Sequence, residues 1–224
     1  MKTVVLSLGG SLIVPDKVDY VFLKKFRDLI LSFVKKGNRV VIVCGGGKTC
    51  RNYNSAAEKI VRVPNIELDV MGIKATELNA ELVRVIFGKY AHKVVVPDFN
   101  TKSLRSKIII GCGWKPGTSS DYDAVMWAKN YKADYVVNLT NIDYIHTKDP
   151  RYHKTAVKLE KLDWNQMQGI VGTEWKAGLN VPFDPIATKI AKKLKLKVAF
   201  ISGKNIKSLN DLLAGRKFKG SMVE

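Results

Sequence analysis

The sequence is poor in the residues that build disulfide frameworks and metal sites. It contains three cysteines and three histidines among 224 residues. Cys44, Cys50 and Cys112 are an odd number, no two of them stand in a CxxC spacing, and the histidines lie far from them along the chain. These features argue against a disulfide scaffold and a structural zinc site, so we expect reduced thiols that pack as small apolar residues.

Signals for membrane insertion and export are also missing. No apolar run reaches the ~18–20 residues that a membrane helix needs. The opening Met-Lys-Thr leads into a short strand-like run with no small-residue cleavage site, which is unlike a signal peptide. We therefore expect a cytoplasmic protein with no membrane partner. The chain also lacks a linker rich in proline, glycine or serine and lacks an internal repeat, which favours one domain over residues 1–224.

Acidic residues are scarce relative to basic ones. Lysine and arginine number 38 against 20 aspartates and glutamates, which gives a net charge of +18. A basic surface raises the possibility of nucleic-acid binding. However, the lysines are dispersed at helix-surface spacings, and no RNA-recognition or helix-turn-helix signature accompanies them. Charge describes association rather than fold. A small polyanionic ligand is therefore the favoured interpretation, with nucleic acid as the alternative.

Short β-branched runs alternate with helical patterns along most of the chain. This alternation predicts a parallel sheet covered on both faces by helices, with continuously apolar strands. The predicted strands are 3–8, 39–44, 93–96, 107–111, 134–139 and 197–201. The predicted helices are 20–35, 49–60, 67–87, 121–130 and 185–194. In the helix over 67–87 we expect Leu78, Leu82, Val85 and Ile86 to face inward.

Two of the predicted strands end in glycine-rich turns. Gly9-Gly10-Ser11 follows the first strand and Gly45-Gly46-Gly47 follows the second. Ligands of parallel sheets bind at the carboxyl ends of the strands. A backbone without side chains can approach an oxyanion closely, and a following helix directs free N–H groups toward it. Tight turns also need glycine for their dihedral angles, but two such turns at neighbouring strand ends favour phosphate binding.

The order of several motifs resembles the amino acid kinase family, and within it the archaeal-type uridylate (UMP) kinases. The resemblance covers nearly the whole chain, and each motif alone is weak. The matching segments are Leu8–Ser11, Gly45–Tyr53, Asp69–Gly72 with Ala75–Ala80, Lys115–Asp121, Thr140–Asp143 with Thr147–Pro150, and Asp184-Pro185. The resemblance implies a three-layer αβα sandwich around a mainly parallel sheet, with an N-terminal lobe for the phosphate acceptor and a C-terminal lobe for ATP.

The resemblance also implies a reaction and its participants. UMP would take the γ-phosphoryl of ATP by direct in-line transfer, giving UDP and ADP for pyrimidine nucleotide synthesis. Mg²⁺ is expected because it bridges ATP phosphates, and it need not have dedicated protein ligands. A homohexamer built from dimers is the implied assembly. Apolar helix faces such as 20–33 or 78–86 fit either core or interface.

Site residues follow from the same resemblance. Gly9 and Gly10 would donate backbone N–H groups to the transferred phosphoryl, and Asp121 would organise the groups around the phosphates. The UMP side is assigned Gly46, Asp69, Trp114, Lys115, Pro116, Gly117, Thr118, Ser119 and Ser120. The ATP side is assigned Gly9, Gly10, Ser11, Gly47, Arg51, Thr140, Asn141, His146 and Asp149. From the residues alone, Asp69 fits a helix N-cap as well as a ribose contact, and Thr118 to Ser120 fit an N-cap cluster as well as a ligand loop.

The chain departs from the family pattern at two places. Many family members carry a lysine two residues before the first glycine, where this chain has Ser7. Mg²⁺, Arg51, Lys48 or Lys189 would then have to supply the missing cation. In the ATP segment, the usual pattern has a glycine after the aspartate and a tyrosine before the threonine, where this chain has Tyr144 and His146.

Three alternatives stay open. One is a kinase of the same fold that acts on a carboxylate, a carbamate or isopentenyl phosphate. A carboxylate kinase would not need Asp69 for a ribose, and an isopentenyl phosphate kinase would want a histidine where Lys48 and Thr49 stand. The second is a nucleotide-binding protein that has lost catalysis, to which Ser7 points. The third is a nucleic-acid-binding regulator, whose binding should weaken steeply with salt.

Overall fold

The computed structural model describes residues 1–101, 104–174 and 181–224. The strands are β1 (Thr3–Leu8), β2 (Arg39–Cys44), β3 (Ile108–Gly111), β4 (Tyr135–Thr140), β5 (Ile145–His146), β6 (Lys158–Leu159), β7 (Lys161–Leu162), β8 (Val198–Ser202) and β9 (Ser221–Val223). The helices are α1 (Gly10–Ile13), α2 (Tyr20–Lys35), α3 (Gly47–Ile60), α4 (Asn65–Phe87), α5 (Ser120–Asn130), α6 (Trp164–Val171), α7 (Pro185–Lys193) and α8 (Ile206–Leu213). A 3₁₀ turn, Gly88–Tyr90, follows α4.

One seven-stranded sheet runs through the molecule in the order β3-β2-β1-β4-β8-β9-β7. The pairs β1–β2, β1–β4, β2–β3 and β4–β8 are all parallel, and β9 runs antiparallel to β8. Strands 3, 4 and 5 of this order are β1, β4 and β8, so their carboxyl ends meet near the middle of one edge of the sheet. The predicted αβα sandwich around a mainly parallel sheet is confirmed.

The two faces of the sheet are buried under separate helical layers. Val4, Leu6 and Leu8 point toward a cluster with residues of α2, α4 and α8, while Val5 points toward a cluster with residues of α5, α6 and α7. Because side chains alternate along a strand, Ser7 shares the face of Val5 and lies under α5. This parity decides which helix a polar residue at position 7 can meet.

The predicted strand over 93–96 is wrong. This segment follows the edge of β3, and His92 N donates to Ile108 O while Val96 N donates to Ile110 O, each at 2.8 Å. Four residues therefore match two on β3, so the intervening backbone bulges out and cannot form a ladder. The apolar run is real, but its register excludes a strand.

The predicted inward face of α4 is also wrong in part. Leu78 is 65% exposed and Val85 is 58% exposed, whereas Ala75, Asn79, Ala80, Val83 and Phe87 are buried. Ile66 and Val70 are exposed on the same helix. In addition, α3 buries none of its residues. The outer faces of α3 and α4 thus leave apolar side chains in contact with solvent.

The structure can be compared with the expectations about the cysteines and about membrane helices. All three cysteines are free thiols, and Cys44 and Cys112 are buried. Burial raises the pKa of Cys112 to about 12. Among the described residues, no helix combines the length and the apolar character needed to cross a membrane.

Candidate active site

Two glycine turns come together at the carboxyl ends of β1 and β2. A Cβ atom on Gly10 would collide with the Gly47 nitrogen, and one on Gly47 would collide with the Gly10 oxygen. A Cβ on Gly45 would lie 2.7 Å from Gly10 N. Gly47 also has a φ of +64°, which glycine adopts without strain. The turns therefore meet main chain to main chain, and this contact would require glycine even without a ligand.

The free N–H groups of this pair of turns differ from those expected. Gly9 N donates to Leu139 O at 3.0 Å, so the Gly9 N–H is already used to join β1 to β4. Gly10 and Ser11 open α1, so their N–H groups have no preceding helical carbonyl to donate to. At the second turn, Gly46 is the N-cap of α3 and Gly47 is its first residue.

Arg51 lies one turn into α3, after the second glycine turn, and reaches back to the first. Its guanidinium Nη2 lies 3.4 Å from Ser11 Oγ, and its side chain stays exposed. The sequence indicated that Arg51 could reach back over the glycines, and the structure places it there. A forked cation at this point suits a phosphate oxygen.

Asp121 lies beneath the turns and is held by two neutral donors. Ser7 Oγ donates to Asp121 Oδ1 at 3.0 Å, and Asn138 Nδ2 donates to the same oxygen at 2.9 Å. Ser7 and Asn138 are register partners on β1 and β4, so the sheet fixes both donors side by side. Burial raises the pKa of Asp121 to about 7, against the lowering effect of the Ser7 hydrogen bond, and the Asp184 charge raises it further.

Asp123 is a second carboxyl on the same helix, and it is more deeply buried than Asp121. It is fully buried, and its Oδ2 accepts from Trp114 N at 3.2 Å. Its Oδ1 has no hydrogen-bond partner among the described residues. Burial raises the pKa of Asp123 to about 7, opposed by the Trp114 hydrogen bond and reinforced by the charges of Asp121 and Asp184. This carboxyl ties α5 to the loop at the end of β3.

That loop, residues 114–120, is strongly structured by its own contacts. Lys115 Nζ lies 4.1 Å from the centre of the Trp114 ring, which packs edge-on against Phe99. Thr118 Oγ1 donates to Lys115 O at 2.8 Å. Ser119 is the N-cap of α5 and accepts from Tyr122 N at 3.1 Å, as the N-cap alternative predicted.

Pro116-Gly117 forms the predicted turn, with a φ of +83° at Gly117, and Ser120 opens α5. Gly117 N donates to Asp69 Oδ2 at 2.9 Å. The N-cap alternative for Asp69 is wrong, because α4 already begins at Asn65 and its N-cap is Pro64. Asp69 instead ties α4 to the tip of the loop.

The predicted ATP-side residues beyond β4 are spread over a hairpin. Thr140 ends β4, and its carbonyl accepts from Gly203 N at 2.8 Å. Asn141 is exposed and contacts the Thr140 hydroxyl, while His146 lies on β5 with Nδ1 3.0 Å from Tyr144 O. Asp149 is engaged by Arg151, whose hydrogen bonds lower the pKa of Asp149 to about 2. Thr140 therefore lies beside the Gly9 turn, and Asp149 is already occupied by a cation.

Sequence reasoning missed two residues that contact the site. Asn79 is buried, and its Nδ2 donates to the carbonyls of Gly45 and Gly46 at 2.8 and 3.1 Å. Thr76 Oγ1 accepts from Gly113 N at 2.8 Å. Both lay inside the motif Ala75–Ala80, and a polar residue on an otherwise apolar helix face was the available signal.

The chain belongs to the amino acid kinase family. The family model for the amino acid kinase family matches residues 2–202. The mainly parallel αβα sandwich described above is the fold that the resemblance to this family implied.

Within this family, the chain is similar to several uridylate kinases. The chain is 34% identical to a uridylate kinase of Sulfolobus acidocaldarius over 206 residues, or 90% of each chain. It is 35% identical to a uridylate kinase of Pyrococcus abyssi over 99% of each chain. It superposes on the crystal structure of uridylate kinase from Archaeoglobus fulgidus with a TM-score of 0.84 and 32% identity over the whole of both chains. UMP kinase from Bacillus anthracis shares the fold with a TM-score of 0.79 and 22% identity.

Proposed function

We propose that the protein is a uridylate kinase, which transfers the γ-phosphoryl of ATP to UMP and releases UDP and ADP. The observation that carries the proposal is the main-chain contact between the Gly10 and Gly47 turns. This contact puts two sets of helix-opening N–H groups at one sheet edge, where two phosphates can face each other. The uridylate kinases among its relatives support UMP as the acceptor.

We propose that the acceptor half comprises Gly46, Asp69 and the loop over residues 114–120. The loop lies beyond β3, on the outer side of the triple-glycine turn. Asp69 Oδ2 accepts from Gly117 N, which leaves Oδ1 available to accept from a ribose hydroxyl. The hydroxyls of Thr118, Ser119 and Ser120 and the ring of Trp114 offer polar and stacking contacts for a base and phosphate.

We propose that the donor half lies on the other side of the turns, toward β4. Gly10, Ser11, Gly47 and Arg51 would hold the phosphates of ATP. Thr140, Asn141, His146 and Asp149 would face its nucleoside, with Asp149 exchanging Arg151 for the ribose. The acceptor and donor halves are the two lobes of one functional domain, and a protein that uses these nucleotides would work in the cytoplasm.

The missing family lysine is compensated, we propose, by Arg51. Ser7 is neutral, and its hydroxyl donates to Asp121, so it cannot supply the positive charge of the lysine. Arg51 is the arginine that contacts the first glycine turn, through Ser11. Asp121 acts as an organiser of the transfer site, since the phosphate of UMP is already ionised at neutral pH and needs no general base.

Mg²⁺ fits this arrangement as an ion carried by the nucleotide. Among the described residues, no three carboxylate, histidine or cysteine side chains are grouped to hold a metal. Mg²⁺ commonly keeps several waters and binds through substrate phosphates with few protein ligands. When bound, it would neutralise charge on the β- and γ-phosphates.

We further propose a homohexamer in which the outer faces of α3 and α4 are covered by another copy. Leu78 is 65% exposed and Ile60 is 81% exposed. Fully burying a leucine or isoleucine side chain contributes about 1.5–3 kcal/mol. Covering these exposed side chains with a second copy would therefore stabilise the assembly.

A coupled assay of ADP release tests the function. Mg-ATP is offered with UMP, CMP, dUMP, acetylglutamate and isopentenyl phosphate in parallel. We expect turnover with UMP well above that with the other acceptors. Saturable UMP binding without turnover would contradict the proposal and assign the protein to the nucleotide-binding alternative.

A further inference from the structure

One face of α4 is directed at both halves of the candidate site. Asp69, Gly72, Thr76 and Asn79 follow one another at intervals of three, four and three residues, which places them on one side of the helix. Three of these four accept from or donate to the main chain of the site loops. Thr76 and Asn79 bind the main chain of the protein itself, so their function has to be sought in how they position that main chain.

Asn79 determines which way the triple-glycine turn presents its N–H groups. Its amide donates one hydrogen bond to Gly45 O and one to Gly46 O. In a trans peptide the carbonyl and the following N–H point in opposite directions, and the described chain contains no cis peptide. Holding both carbonyls toward α4 therefore turns the N–H groups of Gly46 and Gly47 away from α4. The Gly47 nitrogen accordingly lies against Gly10.

Thr76 fixes the start of the loop that follows β3. Its hydroxyl donates to Ile73 O at 2.7 Å, which leaves its lone pairs for the N–H of Gly113. A Cβ on Gly113 would lie 3.0 Å from this hydroxyl, so the loop approaches the helix as closely as glycine allows. The single hydroxyl thus sets both the distance and the direction of the loop.

We propose that Thr76 and Asn79 are positioning residues, Asn79 for the N–H groups of the triple-glycine turn and Thr76 for the loop over residues 114–120. The kinetic consequences rest on the proposed function, whereas the main-chain consequences do not. Thr76 should govern the acceptor nucleotide alone. Asn79 should govern transfer, because Gly46 and Gly47 serve both phosphates.

The experiment compares Thr76→Val, Thr76→Ser and Asn79→Asp with Glu77→Gln. Valine is isosteric with threonine but lacks the hydroxyl, and serine keeps it. Aspartate is isosteric with asparagine and can donate only while protonated. Glu77 is an exposed neighbour on α4 that pairs with Lys74, so its variant is the matched control. Steady-state kinetics with UMP and Mg-ATP are measured from pH 5.5 to 8.5, together with hydrogen exchange of the main-chain amides.

For Thr76→Val we expect the KM for UMP to rise roughly tenfold, from the loss of one hydrogen bond to the main chain, with the KM for ATP unchanged. Thr76→Ser should restore it. The Gly113 amide should exchange faster in Thr76→Val alone. An equal rise in both KM values, or no rescue by serine, would overturn the role of Thr76.

For Asn79→Asp we expect kcat to fall roughly 10- to 100-fold above neutral pH and to recover in part as the pH is lowered, since the protonated acid can donate one of the two hydrogen bonds. A pH-independent loss, or no loss, would overturn the role of Asn79. The wild-type protein separates the two proposals: if it does not phosphorylate UMP, the proposed function fails. Amide exchange still decides the inference, because the Lys48 N–H, bonded to Val14 O at 3.1 Å, should be released at high pH in Asn79→Asp only.

Discussion

Asp123→Asn should change the way in which the stability of this protein depends on pH. Asp123 is fully buried, one of its carboxylate oxygens has no hydrogen-bond partner within the described part of the chain, and burial raises its pKa from 3.8 to about 7. A carboxyl whose pKa is higher in the folded state stabilises that state fully below its unfolded pKa. This contribution is lost as the pH rises through the folded pKa. The window therefore runs from about pH 4 to about pH 7.

The size of the effect follows from these two pKa values. Between pH 5 and pH 8 the ionisation of Asp123 alone should lower the free energy of unfolding of the wild-type protein by about 2–3 kcal/mol. Asparagine cannot ionise, so the variant loses this slope. Burying its amide without a second partner costs about 1–3 kcal/mol, but that cost is the same at every pH.

Urea denaturation at pH 5, 6, 7 and 8 measures the difference directly. The control is Asp16→Asn, which removes a carboxylate from an exposed loop. Relative to wild type, Asp123→Asn should gain stability from pH 5 to about pH 7 and level off toward pH 8, and the control should not. A constant difference across this range would refute the reasoning, because it would mean that Asp123 titrates alike in the folded and unfolded states.

Three shorter predictions concern function and assembly. Asp69→Asn should raise the KM for UMP several-fold and leave the KM for ATP unchanged. The asparagine amide still accepts from Gly117 N–H but lacks the negative charge of the aspartate. Steady-state kinetics measure both constants, and an unchanged KM for UMP would mean that Asp69 only holds the loop. Asp121→Asn should lower kcat by roughly 100-fold, a size typical of lost electrostatic organisation, with UMP affinity by calorimetry nearly unchanged. Equal losses in both would contradict an organising role. Leu78→Glu should shift the mass measured by light scattering toward the monomer, whereas an intact assembly would place the interface elsewhere.

The spacing of apolar residues along the sequence predicted several helices and strands correctly. The helix over 20–35 and the strand over 39–44 have the bounds expected from their periodicity. The segment over 93–96 has the same apolar character, but its register against β3 is set by a bulge that no residue in the segment announces. The prediction that Leu78 faces the core was wrong for a related reason. Periodicity identifies an apolar face of a helix, but it does not say whether this chain or another covers that face.

The site was predictable at the level of its glycines and less so at the level of its hydrogen bonds. The motifs located both turns, and parity along β1 explains afterwards why Ser7 meets Asp121. The contacts of Asp69 with Gly117 and of Asn79 with Gly45 join residues 48 and 34 positions apart. Such pairs depend on how α4 lies across the sheet edge, which is a property of the packed molecule and not of any segment.

The contact between the Gly10 and Gly47 turns bears on how such proteins can diverge. Where two turns touch through main-chain atoms, substitution of side chains cannot change the distance between them. Loops on either flank can therefore exchange residues, and with them the molecules they accept, while the span across which a phosphoryl group would pass stays constant. Novelty in this architecture should accumulate at the periphery, around a centre that admits almost no variation.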